Sequence, residues 1–271
     1  MQLFDTHAHL DNQQLSDDAP AVVGRAKEAG VESMTAIGTD LPTSKKCVAL
    51  ANEFDGVYAA VGVHPTHCHK DEVAGCWDEV VSLANQPSVV AIGETGLDLY
   101  WDKTTLDVQQ QWFQQHIDLS FETGKPLVIH MRDCEQEIVS MLESSAINGS
   151  INGIMHSYTG SLESAQRCLK LGMYISFAGM VTFKKSDELR AVAAEIPADR
   201  ILIETDAPYL SPHPLRSKRP NEPAYIVHTA ACLADVRDIS PEELGRITTE
   251  NAKRVFRIQC CLLYTSPSPR D

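Results

Sequence analysis

MQLFDTHAH, residues 1–9, opens the chain as an apolar run that ends in two histidines one residue apart. In an extended strand, side chains i and i+2 leave on the same face. His7 and His9 are therefore set side by side, as a metal ion needs. One His-x-His pair is weak evidence, because a polar pair hydrogen-bonded at a strand end gives the same spacing. The pattern recurs along the chain, however. Glu94, His130, His156 and Asp206 each stand at or just past the end of another short apolar run.

Eight such runs can be counted, near 2–7, 32–38, 57–64, 88–94, 126–130, 151–156, 172–177 and 200–206. Most are continuous rather than alternating, as in strands buried on both faces of a parallel sheet. Helical periodicity fills the intervals, most clearly over 21–29, 44–53, 76–84, 106–122, 135–142, 162–171 and 187–194. Gly30, Gly124 and Gly172 stand where helix C-caps belong. Alternating β and α units predict an α/β fold with a parallel sheet. Eight units in roughly 260 residues match one TIM (β/α)8 barrel, whose active site lies at the C-terminal ends of the strands. Metal-capable residues stand at five of those ends, on the first, fourth, fifth, sixth and eighth runs.

A length of 271 residues at 43% apolar composition supports one large core, so a single domain over 1–258 is expected. The opening residues lack the charged and apolar regions of an export signal, and no apolar run approaches a membrane span. The eight cysteines show no CxxC spacing and read as reduced thiols. Together these readings predict a cytoplasmic protein with no membrane partner, and no obligate protein partner is evident. Residues 259–271 break all periodicity. Within them CLLYTSPSPRD resembles translated sequencing adapter; an ordinary disordered tail is the other reading. The net charge of −14 is a poor match for non-specific binding to duplex DNA. It leaves open a nucleic-acid end bound where metal ions supply the positive charge.

The chemistry follows from the donor set. Four histidines and two carboxylates (His7, His9, His130, His156, Glu94, Asp206) exceed what one catalytic zinc with an open position takes. They suit two divalent cations bridged by Glu94 and a water. Imidazole ligands favour Zn²⁺, Mn²⁺ or Ni²⁺, and Mg²⁺ serves if it keeps several waters. Glu94 and Asp206 are the expected catalytic carboxylates, Asp206 as ligand and proton acceptor. Glu204 lies one pleat deeper and reads as an interior carboxylate or a partner of a ligand rather than a ligand; Asp98 reads as a partner of a ligand or as a loop cap, the cap being favoured. Two readings stand for His64: it holds a phosphate oxygen, or local backbone holds it. Two also stand for Arg132: a fork of donors for phosphate, or a partner of Asp133 or Glu135. His67, His69, His116, His213 and His228 read as surface or packing residues.

Five motifs in order carry a family resemblance: GVHP (62–65), GETGLD (93–98), IHMRD (129–133), HSYTG (156–160) and ETDAPYL (204–210). With NEPAYI (221–226) and Asn251-Ala252, the chain resembles the TatD family of metal-dependent deoxyribonucleases over residues 2–258. The resemblance implies a TIM barrel in which His7, His9, Glu94 and Asp206 hold one ion and Glu94, His130 and His156 the other. HSYTG departs from the more usual HCFSG at Ser157 and Tyr158, which leaves the ligand set intact and changes the wall beside it.

The expected activity is two-metal hydrolysis of a phosphodiester, with a single-stranded or frayed DNA end as substrate. A small-molecule amide, ester or phosphoester on the same barrel is the alternative, and a metal-binding scaffold is a third reading. Tyr100, Trp101, Tyr158 and Tyr209, expected near the mouth, would stack bases or line a small-molecule pocket.

Overall fold

The computed structural model describes residues 1–69, 75–147 and 149–258; the expectation for the tail, 259–271, falls outside the described residues. Eight parallel strands follow one another around the sheet in chain order. They are β1 (Leu3–Ala8), β2 (Val31–Ile37), β3 (Val57–Val61), β4 (Val89–Asp98), β5 (Leu127–Arg132), β6 (Gly153–Met155), β7 (Tyr174–Phe177) and β8 (Ile201–Ile203). The seam between β8 and β1 closes just past the strand ends. There Asp206 N donates to His7 O (2.9 Å) and His9 N donates to Ala207 O (2.7 Å). The backbone that closes the barrel is thus the backbone that carries His7, His9 and Asp206.

The seven expected helices are present as α2 (Ala19–Glu28), α3 (Leu41–Glu53), α4 (Trp77–Ala84), α5 (Leu106–Thr123), α6 (Glu135–Ser145), α7 (Leu162–Lys170) and α8 (Asp187–Glu195). Gly124 ends α5 in the left-handed conformation, φ 66°, the capping role expected of a glycine there. Three helices went unread: the single turn α1 (Gln13–Ser16), then α9 (Ile226–Val236) and α10 (Pro241–Val255). The signal for α10 was available. Ser240 caps it by accepting from Glu243 N, with Pro241 in the first turn, a recognisable start. Among the described residues no helix is long and apolar enough to cross a membrane.

One expected boundary is wrong in a way that matters for the site. β4 was expected to end at Glu94 in a turn, but it continues to Asp98. Pairing with β5 is interrupted between Ile92 and Thr95 and then resumes from Thr95↔Ile129 to Asp98↔Arg132. Glu94 sits in that interruption. Gly93 and Gly96, at φ 145° and 130°, permit it. A Cβ on Gly96 would overlap the His130 carbonyl oxygen.

Inside the barrel, Phe4, Ile37, Ala60, Ala91, Val128, Ile154, Tyr174 and Leu202 form one cluster with a residue from each strand. The end of α10 packs against this cluster through Ala252, Val255 and Phe256, and the Phe256 ring lies 5.6 Å from that of Phe4. Phe256 therefore plugs the end of the barrel opposite the one that carries His7, His9 and Asp206. Phe256→Ala is expected to cost about 3–5 kcal/mol in a denaturant titration, and a loss below about 1 kcal/mol would refute the plug.

Candidate metal centre

Glu94 is buried at the mouth, and its two oxygens face different partners. Oε2 looks toward His7 Nε2 (3.5 Å) and His9 Nε2 (3.6 Å), with Asp206 Oδ1 beyond them at 3.7 and 3.5 Å from the same two nitrogens. Oε1 looks toward His156 Nε2 (2.9 Å) and His130 Nδ1 (3.0 Å), with His64 Nε2 at 3.4 Å. The structure brings all six expected ligands into one cluster, divided across the two oxygens of one carboxylate. Asp206 reaches it through a left-handed backbone, φ 55°, which Asp tolerates better than most residues.

The outward hydrogen bonds say which nitrogen of each ring carries a proton. His9 Nδ1 meets the Ile37 carbonyl (3.2 Å), His130 Nε2 meets Asp98 Oδ2 (2.9 Å) and His156 Nδ1 meets Glu204 Oε1 (3.2 Å). A carbonyl or carboxylate can only accept, so each outer nitrogen donates. In the neutral ring the inner nitrogen is then a lone pair aimed at Glu94. Lone pairs facing a carboxylate at about 3 Å repel unless a cation or a proton lies between them, so this donor set fits metal ions. His64 is wired the opposite way. Its Nδ1 accepts from Thr66 N (3.2 Å), so the neutral ring presents an N–H to the mouth. His64 is thus built to donate rather than to ligate. His7 stacks on His156 at 4.0 Å between centroids, and its Nδ1 is buried with no hydrogen-bond partner among the described residues.

The electrostatics agree. Burial opposes charge on Glu94, yet the charge of His156 and the His130 hydrogen bond hold it well below the usual carboxylate range. Burial also opposes charge on Asp206, which the His9 hydrogen bond and the His7 and His9 charges keep low. Burial lowers His9, but the Asp206 hydrogen bond and the charges of Glu94 and Asp206 overcome it and raise the imidazole to about 9. His156 is likewise raised against burial, by Glu94 and by Glu204. His64 goes the other way, pushed down to about 4 by burial and by His130. The cluster draws positive charge to the rings that point lone pairs inward and keeps His64 neutral.

The remaining expectations divide. Asp98 caps its loop as read, accepting from Tyr100 N (3.0 Å) and Trp101 N (2.9 Å) through Oδ1, but its other oxygen also orients His130. That second role is the other reading the sequence offered for Asp98. The even spacing of Asp98 from Glu94 was the available signal. Glu204 is interior as read; besides His156 it accepts from Ser157 N (2.6 Å) and Ser176 Oγ (2.6 Å). Neither sequence pairing of Arg132 forms: its guanidinium lies 3.9 Å above the Tyr100 ring. His116 is a buried packing residue that accepts from Val63 N (2.9 Å) and so braces the segment before His64. Tyr158 corrects one reading. It is buried, with its hydroxyl on Ser161 O (2.6 Å), and offers no face to the mouth. Tyr209 is half exposed, its ring 5.8 Å from that of His9.

Comparison with known proteins places this arrangement among relatives. A family profile described as TatD related DNase matches residues 4–257. "Uncharacterized metal-dependent hydrolase YabD" of Bacillus subtilis is 44% identical over 257 residues, covering 94% of this chain and 99% of that protein. "3'-5' ssDNA/RNA exonuclease TatD" of Salmonella typhimurium is 36% identical over 260 residues, covering 94% and 99%. Among solved structures, the YjjV TatD homologue from Escherichia coli K12 superposes with a TM-score of 0.87 at 28% identity, covering 95% of this chain and 98% of that one.

Proposed function

The chain belongs to the TatD-related DNase family of metal-dependent hydrolases, and we propose that it cleaves phosphodiesters at single-stranded nucleic-acid ends with two divalent cations held across Glu94. The observation that carries this reading is the division of the donors between the two Glu94 oxygens. His7, His9, Glu94 and Asp206 would hold one ion, and Glu94, His130 and His156 the other. Bound there, such ions would polarise the scissile phosphate and lower the pKa of a water.

The chain's own residues do the rest. Asp206, held ionised, accepts the proton of the attacking water. His64 donates its Nε2–H to a phosphate oxygen. Asp98, Glu204 and the Ile37 carbonyl keep three imidazoles turned inward, so none has to reorganise during reaction. Relatives named 3'-5' ssDNA/RNA exonucleases support a nucleic-acid end as substrate and the 3' end as the point of attack.

A strand of phosphates also finds positive charge at the mouth of this acidic protein. Lys184 and Lys185 follow β7; Arg216, Lys218 and Arg219 follow β8. The two loops are tied by Arg216 over the Phe183 ring (3.4 Å) and by His213 N donating to Thr182 Oγ1 (2.7 Å). Among the described residues none of these five cations pairs with a carboxylate.

The direct test is hydrolysis of an end-labelled single strand with Mg²⁺, Mn²⁺ or Zn²⁺ against a chelator. Metal-dependent laddering from the 3' end is expected. No cleavage with any metal, by protein shown to hold two ions, moves the assignment to a small-molecule amide or ester.

Two further outcomes follow from the wiring. His64→Gln should retain both ions and lose roughly tenfold to a hundredfold in turnover, the worth of one hydrogen bond to a charged group; loss of an ion would make His64 a ligand. His9, raised to about 9, carries a proton at neutral pH that a cation must displace. Cation binding should therefore release protons, and affinity should climb as pH rises toward about 9. Calorimetry of Mn²⁺ binding in two buffers of different ionisation enthalpy reads this directly, and equal heats would contradict it.

A further inference from the structure

Beside the candidate metal ligands, the loop that leaves β4 exposes three large side chains in a row: Leu99 at 42%, Tyr100 at 54% and Trp101 at 48%. Tyr100 and Trp101 stand edge to face, centroids 4.9 Å apart at 88°. Arg132, from β5, places its guanidinium 3.9 Å from the Tyr100 centroid and 5.7 Å from that of Trp101, while Lys103 Nζ lies 5.6 Å from the Trp101 centroid. Single exposed apolar residues are ordinary; two aromatic rings held together under two cations are not.

This corner is also fixed with respect to the candidate ligand His130. Leu99 N donates to Arg132 O (2.9 Å). Gln109 accepts from Asp98 N (2.8 Å) and donates to Asp98 O (3.0 Å) and Thr104 O (2.8 Å), spanning the loop. Asp98 itself holds the Tyr100 and Trp101 amides with Oδ1 and His130 with Oδ2. One buried carboxylate thus sets both a candidate ligand and the aromatic corner.

On the reading given under Proposed function, we propose that Tyr100, Trp101 and Arg132 form a stacking shelf that seats one unpaired nucleobase beside the scissile phosphate, and that this shelf selects single strands. Every base has a π-face, so the shelf tolerates any sequence. Arg132 and Lys103 supply charge to the phosphates on either side of the seated base. A base inside a duplex is already stacked and must be extruded before it can occupy the shelf, whereas a frayed or single-stranded end meets no such barrier.

The test uses the full chain with a short oligothymidylate and a strand of equal length carrying abasic sites at its last two positions. With a chelator present to stop cleavage, the base-bearing strand should quench tryptophan fluorescence, and Trp101→Ala should abolish the quenching. The other two tryptophans, Trp77 and Trp112, pack against His116 away from the loop. With metal present, the preference in kcat/KM for the base-bearing over the abasic-ended strand should fall about tenfold to a hundredfold in the Tyr100→Ala/Trp101→Ala variant. An unchanged preference overturns the shelf and leaves the nuclease assignment standing. Quenching without hydrolysis of any nucleic acid keeps the shelf and overturns the nuclease. Neither quenching nor hydrolysis removes both.

Discussion

Glu94→Ala protein is expected to retain at most one divalent cation and to cleave at least about a thousandfold more slowly, the equivalent of several kcal/mol of charge stabilisation. Each Glu94 oxygen faces its own set of imidazole nitrogens. Its removal also leaves His9, His130 and His156 beside a buried space without the anion that holds their charge. Glu94→Gln separates these contributions, because it keeps one oxygen and offers an amide on the other side; one ion and an intermediate loss are expected. Elemental analysis of the purified variants beside the rate assay decides the matter. Two ions retained in the alanine variant would remove Glu94 from the bridge.

Asp206→Asn should separate ligation from proton transfer. The amide oxygen can still face a cation near His7 and His9, but it is a poor base. A loss of roughly a hundredfold to ten-thousandfold in turnover is expected, the usual contribution of a general base, with metal content close to the parent. Full activity with both ions bound would show that Asp206 is not the proton acceptor. The backbone should tolerate the change, since Asn also accepts the left-handed φ of 55° at this position. The seam bond from residue 206 N to His7 O is made by the main chain and survives the substitution.

Much of the fold could be read along the chain because burial leaves a local signature. A strand covered on both faces by its own barrel and by flanking helices must be apolar without alternation, as in Val89-Val-Ala-Ile92 and Leu127-Val-Ile129. The helices between them announce themselves by period and by glycine caps such as Gly124. The positions of His7, Glu94, His130, His156 and Asp206 relative to those runs were legible for the same reason: a residue at the C-terminal end of a buried apolar run emerges at the barrel mouth. The length of β4 was not legible, because Gly93 and Gly96 signal a turn or a bulge equally well.

By itself, then, the sequence determined the barrel, the end of it that carries chemistry and the residue types gathered there, since each depends on spacing within one element. Only the tertiary structure decided how those residues act. The proton-bearing nitrogens of His9, His130 and His156 are set by Ile37, Asp98 and Glu204, which lie 28, 32 and 48 residues away in the chain. The division of partners between the Glu94 oxygens and the seat of Arg132 on Tyr100 belong to the same class. All depend on the register between strands and on hydrogen bonds across them, and a pattern confined to one strand does not encode which neighbour its side chains meet.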